Sequence, residues 1–219
     1  MTTLYFVRHG KTEWNLAGRY QGANGDSPLL ASSYTEIGEL ANYLKDIQFA
    51  HLYTSPMKRT RVTSATLKQD LHQDFPITVV DGLHEFDLGL MEGMYFTEVQ
   101  ERFPETLRTF REAPAEYDAS VINGESFPQV IKRTTAAIAQ IMATAKPDDQ
   151  ILIVSHGAAL VAMIQALLKT PLADIRAHGG LTNSSVTTLK TTDQGQSFEL
   201  LDWNETAFLS RTLSASDTI

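Results

Sequence analysis

The sequence predicts an α/β fold of three layers, α/β/α, around a mostly parallel sheet. Two observations carry this. Leu4-Tyr5-Phe6-Val7 and Ile151-Leu152-Ile153-Val154 are short apolar runs, the pattern of strands buried on both faces. Both stop on a His-Gly pair, Arg8-His9-Gly10 and Ser155-His156-Gly157. A third observation is the alternation of such runs with amphipathic helical stretches, which is the rhythm of βαβ units.

The first run ends on an arginine and a histidine, which are costly to bury without partners. Open α/β sheets bind ligands just past the carboxyl ends of their strands, and Gly10 lets the backbone approach a ligand closely. One strand-end histidine is usually structural. Two, with Arg8 beside the first, suit a phosphate: arginine offers a planar fork of donors, and imidazole donates or attacks. For the two histidines to meet, their strands must be neighbours at a topological switch point, with the two halves of the chain wound in opposite directions.

The stretch from Leu16 to Leu29 is rich in Gly, Asn, Asp and Pro and reads as a loop that keeps Asn15, Arg19 and Gln21 close in sequence to His9. Ser33-Tyr34-Thr35-Glu36 has the form of a capping box, followed by Ile37, Leu40, Ala41 and Leu44 on one helical face. Phe49 to Thr54 reads as a second strand. Ser55-Pro56 then opens a helix whose first turns carry Lys58, Arg59 and Arg61. Cations there oppose the helix dipole, so something negative must compensate, and a bound phosphate would serve.

Ile77 to Val80 is a short third strand. The irregular segment Asp81 to Gly93 follows, and each of its acids suits either a surface charge or a proton donor facing an apolar pocket. Thr97 to about Tyr117 reads as a poorly capped helix punctuated by Pro104 and Pro114, the best candidate for a cap inserted over the site, at about residues 92–128. A long helix with Val130, Ile131, Ile138, Ile141 and Met142 inward leads to the second His-Gly strand. The helix from Ala158 to Leu168 is nearly all apolar and must be buried. Ser184 to Leu189 and Phe198 to Trp203 read as two late strands, and the tail after Phe208 is polar and reads as mobile.

The chain of 219 residues fits one domain spanning residues 1–219. Its net charge of -8 argues against a general nucleic-acid or anionic-membrane surface, so an anionic substrate needs a local basic pocket. With no cysteine, thiolate catalysis and thiolate metal sites are excluded. No apolar run approaches the roughly 18 residues of a membrane span, and Met1-Thr2-Thr3 leads straight into the first strand without a signal peptide. The expectation is a cytoplasmic enzyme. The histidines show no H-x-x-x-H pairing, so no metal site and no cofactor are expected.

Arg8-His9-Gly10 with Thr12, Trp14 and Asn15 resembles the R-H-G-x-T-x-W-N signature of the histidine phosphatase superfamily, the phosphoglycerate-mutase-like proteins. Further matches follow in family order: Gly18 to Gly22, Asp26 to Leu29, Ser55-Pro56-Met57-Lys58-Arg59, Leu83 to Gly89, Gly124-Glu125-Ser126 and Ser155-His156-Gly157. The ordered set is specific and spans nearly the whole chain. It departs from the usual pattern in a longer segment from Leu30 to Tyr34 and in Thr60 where alanine is common.

The resemblance implies that His9 becomes phosphohistidine, that Arg8, Arg59 and His156 clamp the phosphoryl oxygens, and that Glu85 is the proton donor. Asn15 and Gln21, with Gly22 and Gly157, would line the phosphate pocket. The implied reaction is hydrolysis of small phosphate esters. The alternatives are a mutase, which keeps the phosphoryl group inside the site, and a non-catalytic phosphate-binding module. A mutase must grip a second anionic group, for which Arg102, Arg108 and Arg111 are the local candidates. The expected partner is a small-molecule phosphate ester, with homo-oligomerisation left open.

Overall fold

The computed structural model describes residues 1–214 together with Asp217 and Thr218. Its centre is a six-stranded sheet ordered β3-β2-β4-β1-β5-β6. The strands are β1 (Thr2–Arg8), β2 (His51–Thr54), β3 (Ile77–Val79), β4 (Gln150–Ser155), β5 (Val186–Thr191) and β6 (Glu199–Glu205). The first four run parallel; β5 and β6 close one side antiparallel. The fold is thus the mixed α/β architecture expected, with the parallel strands grouped together. From β1 the chain moves to β2 and β3 on one flank, returns to β4 beside β1, and leaves for the other flank.

Side chains alternate across a strand, and the core follows that alternation. Leu4, Phe6, Ile151 and Ile153 face one layer, with α6 (Phe127–Thr144) and α7 (Gly157–Leu167). Val7, Leu52, Leu152 and Val154 face the other, with α2 (Ala31–Leu44) and α3 (Lys58–Leu71). Both central strands are therefore apolar on both faces, which is why they read as continuous runs. The apolar α7 is buried from Gly157 to Gln165, all but its last two residues.

Three readings change. The capping box at Ser33 is not one: α2 begins at Ala31, and the Ser33 hydroxyl donates to the carbonyl of Lys11 at 2.7 Å. The helix after Thr97 is two helices, α4 (Phe96–Arg102) and α5 (Pro104–Glu112), broken at Phe103 because the residue before a proline is pushed out of the helical region. The described residues of the tail are tied down rather than loose. Arg211 pairs with Glu36 at 2.7 Å, and the fully buried Asp217 pairs with Lys11 at 2.8 Å.

A short helix, α1 (Glu13–Leu16), sits just after the first His-Gly pair and is capped by Thr12 and Asn15 reciprocally. Together with α2 and α3 it surrounds the carboxyl ends of β1 and β4. No helix is long and apolar enough to cross a membrane among the described residues.

Candidate active site

Strands β1 and β4 are adjacent and parallel, with Arg8 opposite Ser155, so His9 and His156 leave the sheet side by side. Their rings meet edge to face, 5.3 Å between centroids. Gly10 has ordinary backbone angles. It is glycine because a Cβ there would lie 3.0 Å from the Ser33 Cβ.

His9 is buried, and its Nδ1 donates to the carbonyl of Gly10 at 2.8 Å, which leaves the Nε2 lone pair outward. Burial, then the charges of Arg59 and Arg8, hold its pKa well below the ordinary imidazole value. The ring is therefore neutral at physiological pH. Asn183 donates to the carbonyl of His9 at 3.1 Å and fixes the main chain behind it.

Arg8 is buried, with Nη1 donating to the carbonyls of Leu181 and Asp217. Burial draws its pKa down to about 10, opposed by Glu85 and Asp217. A Cβ at Gly157 would sit 3.2 Å from the Arg8 Nε, so Gly157 gives this guanidinium its room.

Arg59 comes from the first turn of α3. It donates from Nη1 to the carbonyl of Gly25 at 2.8 Å, from Nη2 to that of Gly22 at 3.0 Å, and from Nε to His156 Nδ1 at 3.1 Å. Asp26 accepts from Arg59 at 3.3 Å and from the amide of Lys58 at 2.7 Å. The compensating anion at this helix start is thus the chain's own Asp26. His156 is fully buried with Nε2 at 2.7 Å from the Ser55 hydroxyl, and burial, Arg59 and His9 keep it neutral as well.

Gln21 joins this cluster with its amide nitrogen toward Ser27 and Thr12 and its oxygen accepting from Arg59 at 3.0 and 3.1 Å. Asn15 is buried, and its Oδ1 serves the Thr12 cap. Gly22 is pinned: a Cβ would stand 2.4 Å from the Phe86 carbonyl and 2.3 Å from Glu92 Oε1.

Glu85 arrives from the loop after β3. His156 gives α7 no side-chain cap, and Glu85 supplies it from across the site. Its Oε2 accepts from the Ala158 amide at 3.1 Å, and its Oε1 from the Ala159 and Phe86 amides, both at 2.8 Å. The helix N-terminus thereby positions a carboxyl on the amides two and three residues past His156. Arg133 holds the approach to Glu85, donating to the carbonyls of Gly82, His84 and Glu85 and pairing with Glu125 at 2.8 Å. With Tyr20, Gln21, Leu88, Phe110 and Ala158, Glu85 lines a cavity of about 20 Å³.

The other acids of that loop are engaged elsewhere. Glu92 accepts from the amides of Gly22, Asn24 and Leu88, and Asp87 from Asn24 and Gly89. The structure thus brings His9, Arg8, Arg59, His156, Glu85, Gln21, Gly22 and Gly157 to one place, with Asn15 one contact behind. Among the described residues no group of three His, Cys, Asp or Glu is arranged to hold a metal.

Sequence reasoning missed Ser55, Asp26, Asn183, Asp217 and Arg176. Ser55 and Asp26 lie inside quoted motifs, so their positions were a signal. Asn183, Asp217 and Arg176 lie in irregular chain, where only the tertiary fold assigns them. Of the three arginines offered for a second anionic group, Arg108 is spent on Glu105 and Glu116, at 2.6 and 2.9 Å, and Arg102 leans on Phe103 and the Met94 sulfur. Arg111 instead donates to the Tyr20 hydroxyl at 2.7 Å.

The phosphatase PhoE of Bacillus subtilis, described as uncharacterized, is 33% identical over 164 residues, 75% of this chain and 76% of its own. A probable phosphoglycerate mutase, GpmB of Citrobacter koseri, is 30% identical over 174 residues, covering 78% and 77%. The structure of Bacillus stearothermophilus YhfR superposes with a TM-score of 0.87 at 29% identity, over 95% of this chain and 99% of that one. The profile of the histidine phosphatase superfamily (branch 1) matches residues 4–206, and the chain belongs to that family.

Proposed function

We propose that this protein is a phosphomonoesterase that hydrolyses small phosphate esters through a phosphohistidine on His9. The observation that supports it most is the tautomer of His9. With Nδ1–H donated to Gly10, Nε2 is an available lone pair set among Arg8, Arg59 and His156. A phosphate monoester carries about two negative charges near neutral pH, and these repel an anionic nucleophile. Neutral imidazole escapes that repulsion, and the buried guanidinium groups both keep it neutral and stabilise the equatorial oxygens.

In the first step a bond forms between His9 Nε2 and phosphorus while the ester P–O bond breaks. Glu85 passes its proton to the departing alkoxide. As carboxylate it then takes a proton from water, whose oxygen attacks phosphorus and releases phosphate with His9 restored. The segment at about residues 92–128 acts as a cap on the leaving-group side, since its Phe110 shares a cavity with Glu85. Recombinant protein should release phosphate from p-nitrophenyl phosphate. A brief reaction with phosphorus-labelled ester, quenched, should leave acid-labile, base-stable label that His9→Ala cannot form. Rapid conversion of 3-phosphoglycerate to 2-phosphoglycerate with catalytic 2,3-bisphosphoglycerate, without phosphate release, would instead establish the mutase.

A further inference from the structure

Arg176 lies in the irregular chain after α7, outside every motif quoted above. Its guanidinium carbon stands 5.0 Å from the centre of the Phe110 ring and 5.8 Å from that of Phe127. Stacking engages the face of a guanidinium and leaves its hydrogen-bond donors, which lie in the plane, to find other partners. Here they find none. Nε and Nη2 are both shut off from solvent and have no acceptor. An unmade hydrogen bond on a buried charged group is among the most expensive omissions in a protein.

The two idle atoms are not an arbitrary pair. Nε–H and the adjacent Nη2–H form the side edge of the guanidinium fork, whose parallel donors match the two oxygens of a carboxylate. The surroundings carry excess positive charge. Arg176 feels Arg111 as a repelling neighbour, and neither makes an ion pair among the described residues. The attraction of Glu85 opposes that repulsion. Phe110, on which it stacks, is a wall of the cavity that Glu85 lines.

We infer that Arg176 is a substrate-specificity residue that grips a carboxylate on the leaving group, so that the preferred esters are phosphorylated hydroxy acids. Arg111, at the rim on the Tyr20 hydroxyl, adds charge without the fork. The inference rests on the phosphomonoesterase reading for its site, and concerns only what the ester carries beyond its phosphate.

The test is a matched pair, 3-phosphoglycerate and glycerol 3-phosphate, which differ at the carboxylate. Each is measured as a competitive inhibitor of p-nitrophenyl phosphate hydrolysis, which reports affinity whether or not the ester is itself turned over. The wild type should bind the carboxylate ester about tenfold or more tightly, the scale of one charge-assisted bidentate contact. Arg176→Gln should bring the ratio close to one, and Arg176→Lys, a point charge without the fork, should leave only part of it. Equal affinity in the wild type overturns the inference without any variant. A ratio that persists in folded Arg176→Gln, or stays undiminished in folded Arg176→Lys, overturns it as well. Absence of p-nitrophenyl phosphate hydrolysis would mark failure of the phosphomonoesterase reading instead, and calorimetric titration of the same pair would then decide the role of Arg176 alone.

Discussion

Arg59 Nε donates to His156 Nδ1 at 3.1 Å, and this contact sets the proton on the opposite nitrogen. With Nδ1 accepting, the imidazole hydrogen lies on Nε2 and points at the Ser55 hydroxyl, 2.7 Å away. For His156 to donate to a phosphoryl oxygen, the proton must be on Nδ1. The Ser55 hydroxyl must then turn and donate to Nε2. A hydroxyl does both, so Ser55 is the hinge of the tautomer exchange. Ser55→Ala should lower kcat/KM by about tenfold, the worth of one hydrogen bond to a neutral ring in a buried site. Ser55→Thr, which keeps the hydroxyl, should recover most of the loss. An unchanged rate in Ser55→Ala would show that His156 does not need the exchange.

Glu85 accepts from three main-chain amides, two on Oε1 and one on Oε2, so glutamine keeps the two on its oxygen and loses the Ala158 contact, where its NH2 cannot accept. Glu85→Gln should cost about 10²- to 10⁴-fold in turnover of alkyl phosphates, which need a protonated leaving group. Aryl phosphates leave more readily and should lose less. The comparison of the two ester types in one variant is the measurement, and equal losses would argue that Glu85 only caps α7.

The pH dependence of stability follows from the two buried histidines. Both are neutral in the fold, with pKa values well below the ordinary 6.5. In the unfolded chain they take up protons near 6.5, so unfolding binds protons only below that pH. Stability is therefore steady above about pH 6.5 and falls as the medium is made more acid. The slope approaches about 1.4 kcal/mol per pH unit for each histidine. Asp217, whose pKa is depressed by its hydrogen bonds, adds its own loss only below its ordinary value of 3.8. Urea midpoints at pH 7.5, 6.0 and 5.0 measure this, and His156→Asn should make the decline shallower by one proton. A flat profile down to pH 5 would contradict the neutral assignment.

Asp217 reaches Lys11 with its carboxylate, at 2.8 Å, and Arg8 with its carbonyl, at 2.7 Å. Truncation after Ser214 removes both contacts and leaves Leu181 as the recorded acceptor of Arg8. Turnover should fall by about an order of magnitude or more, as expected when a charge-clamping group is loosened. Asp217→Ala keeps the carbonyl and should fall less. If the truncated protein matches the full chain, Arg8 is positioned without the tail.

Much of the fold was legible because burial on both faces writes itself as uninterrupted apolar residues. Leu4 to Val7 and Ile151 to Val154 announced the two central strands, and the strand-end histidines announced their adjacency. The helices with periodic apolar faces were legible for the same reason. What was not legible depends on contacts between distant segments. Ser33 looks like a cap until Lys11 is seen to accept its hydroxyl. Asp26 looks like a loop residue until the amide of Lys58 is found on it. The candidate site divides likewise. His9, Arg8 and His156 follow from local pattern, whereas Arg176 carries no pattern at all and is distinguished only by the partners that it lacks.

The docking of Asp217 onto Arg8 also bears on the order in which the enzyme is made. The two residues are separated by 209 positions, and the family pattern has already ended at residue 206 when Asp217 emerges. A nascent chain exposes the histidine of its first strand early, and β4 and β5 can close the sheet around it while synthesis continues. The guanidinium beside that histidine gains its second carbonyl only when the tail has cleared the ribosome and folded back. The sheet can thus be assembled before the phosphate clamp is set, and translation itself imposes a delay between a folded core and a competent site.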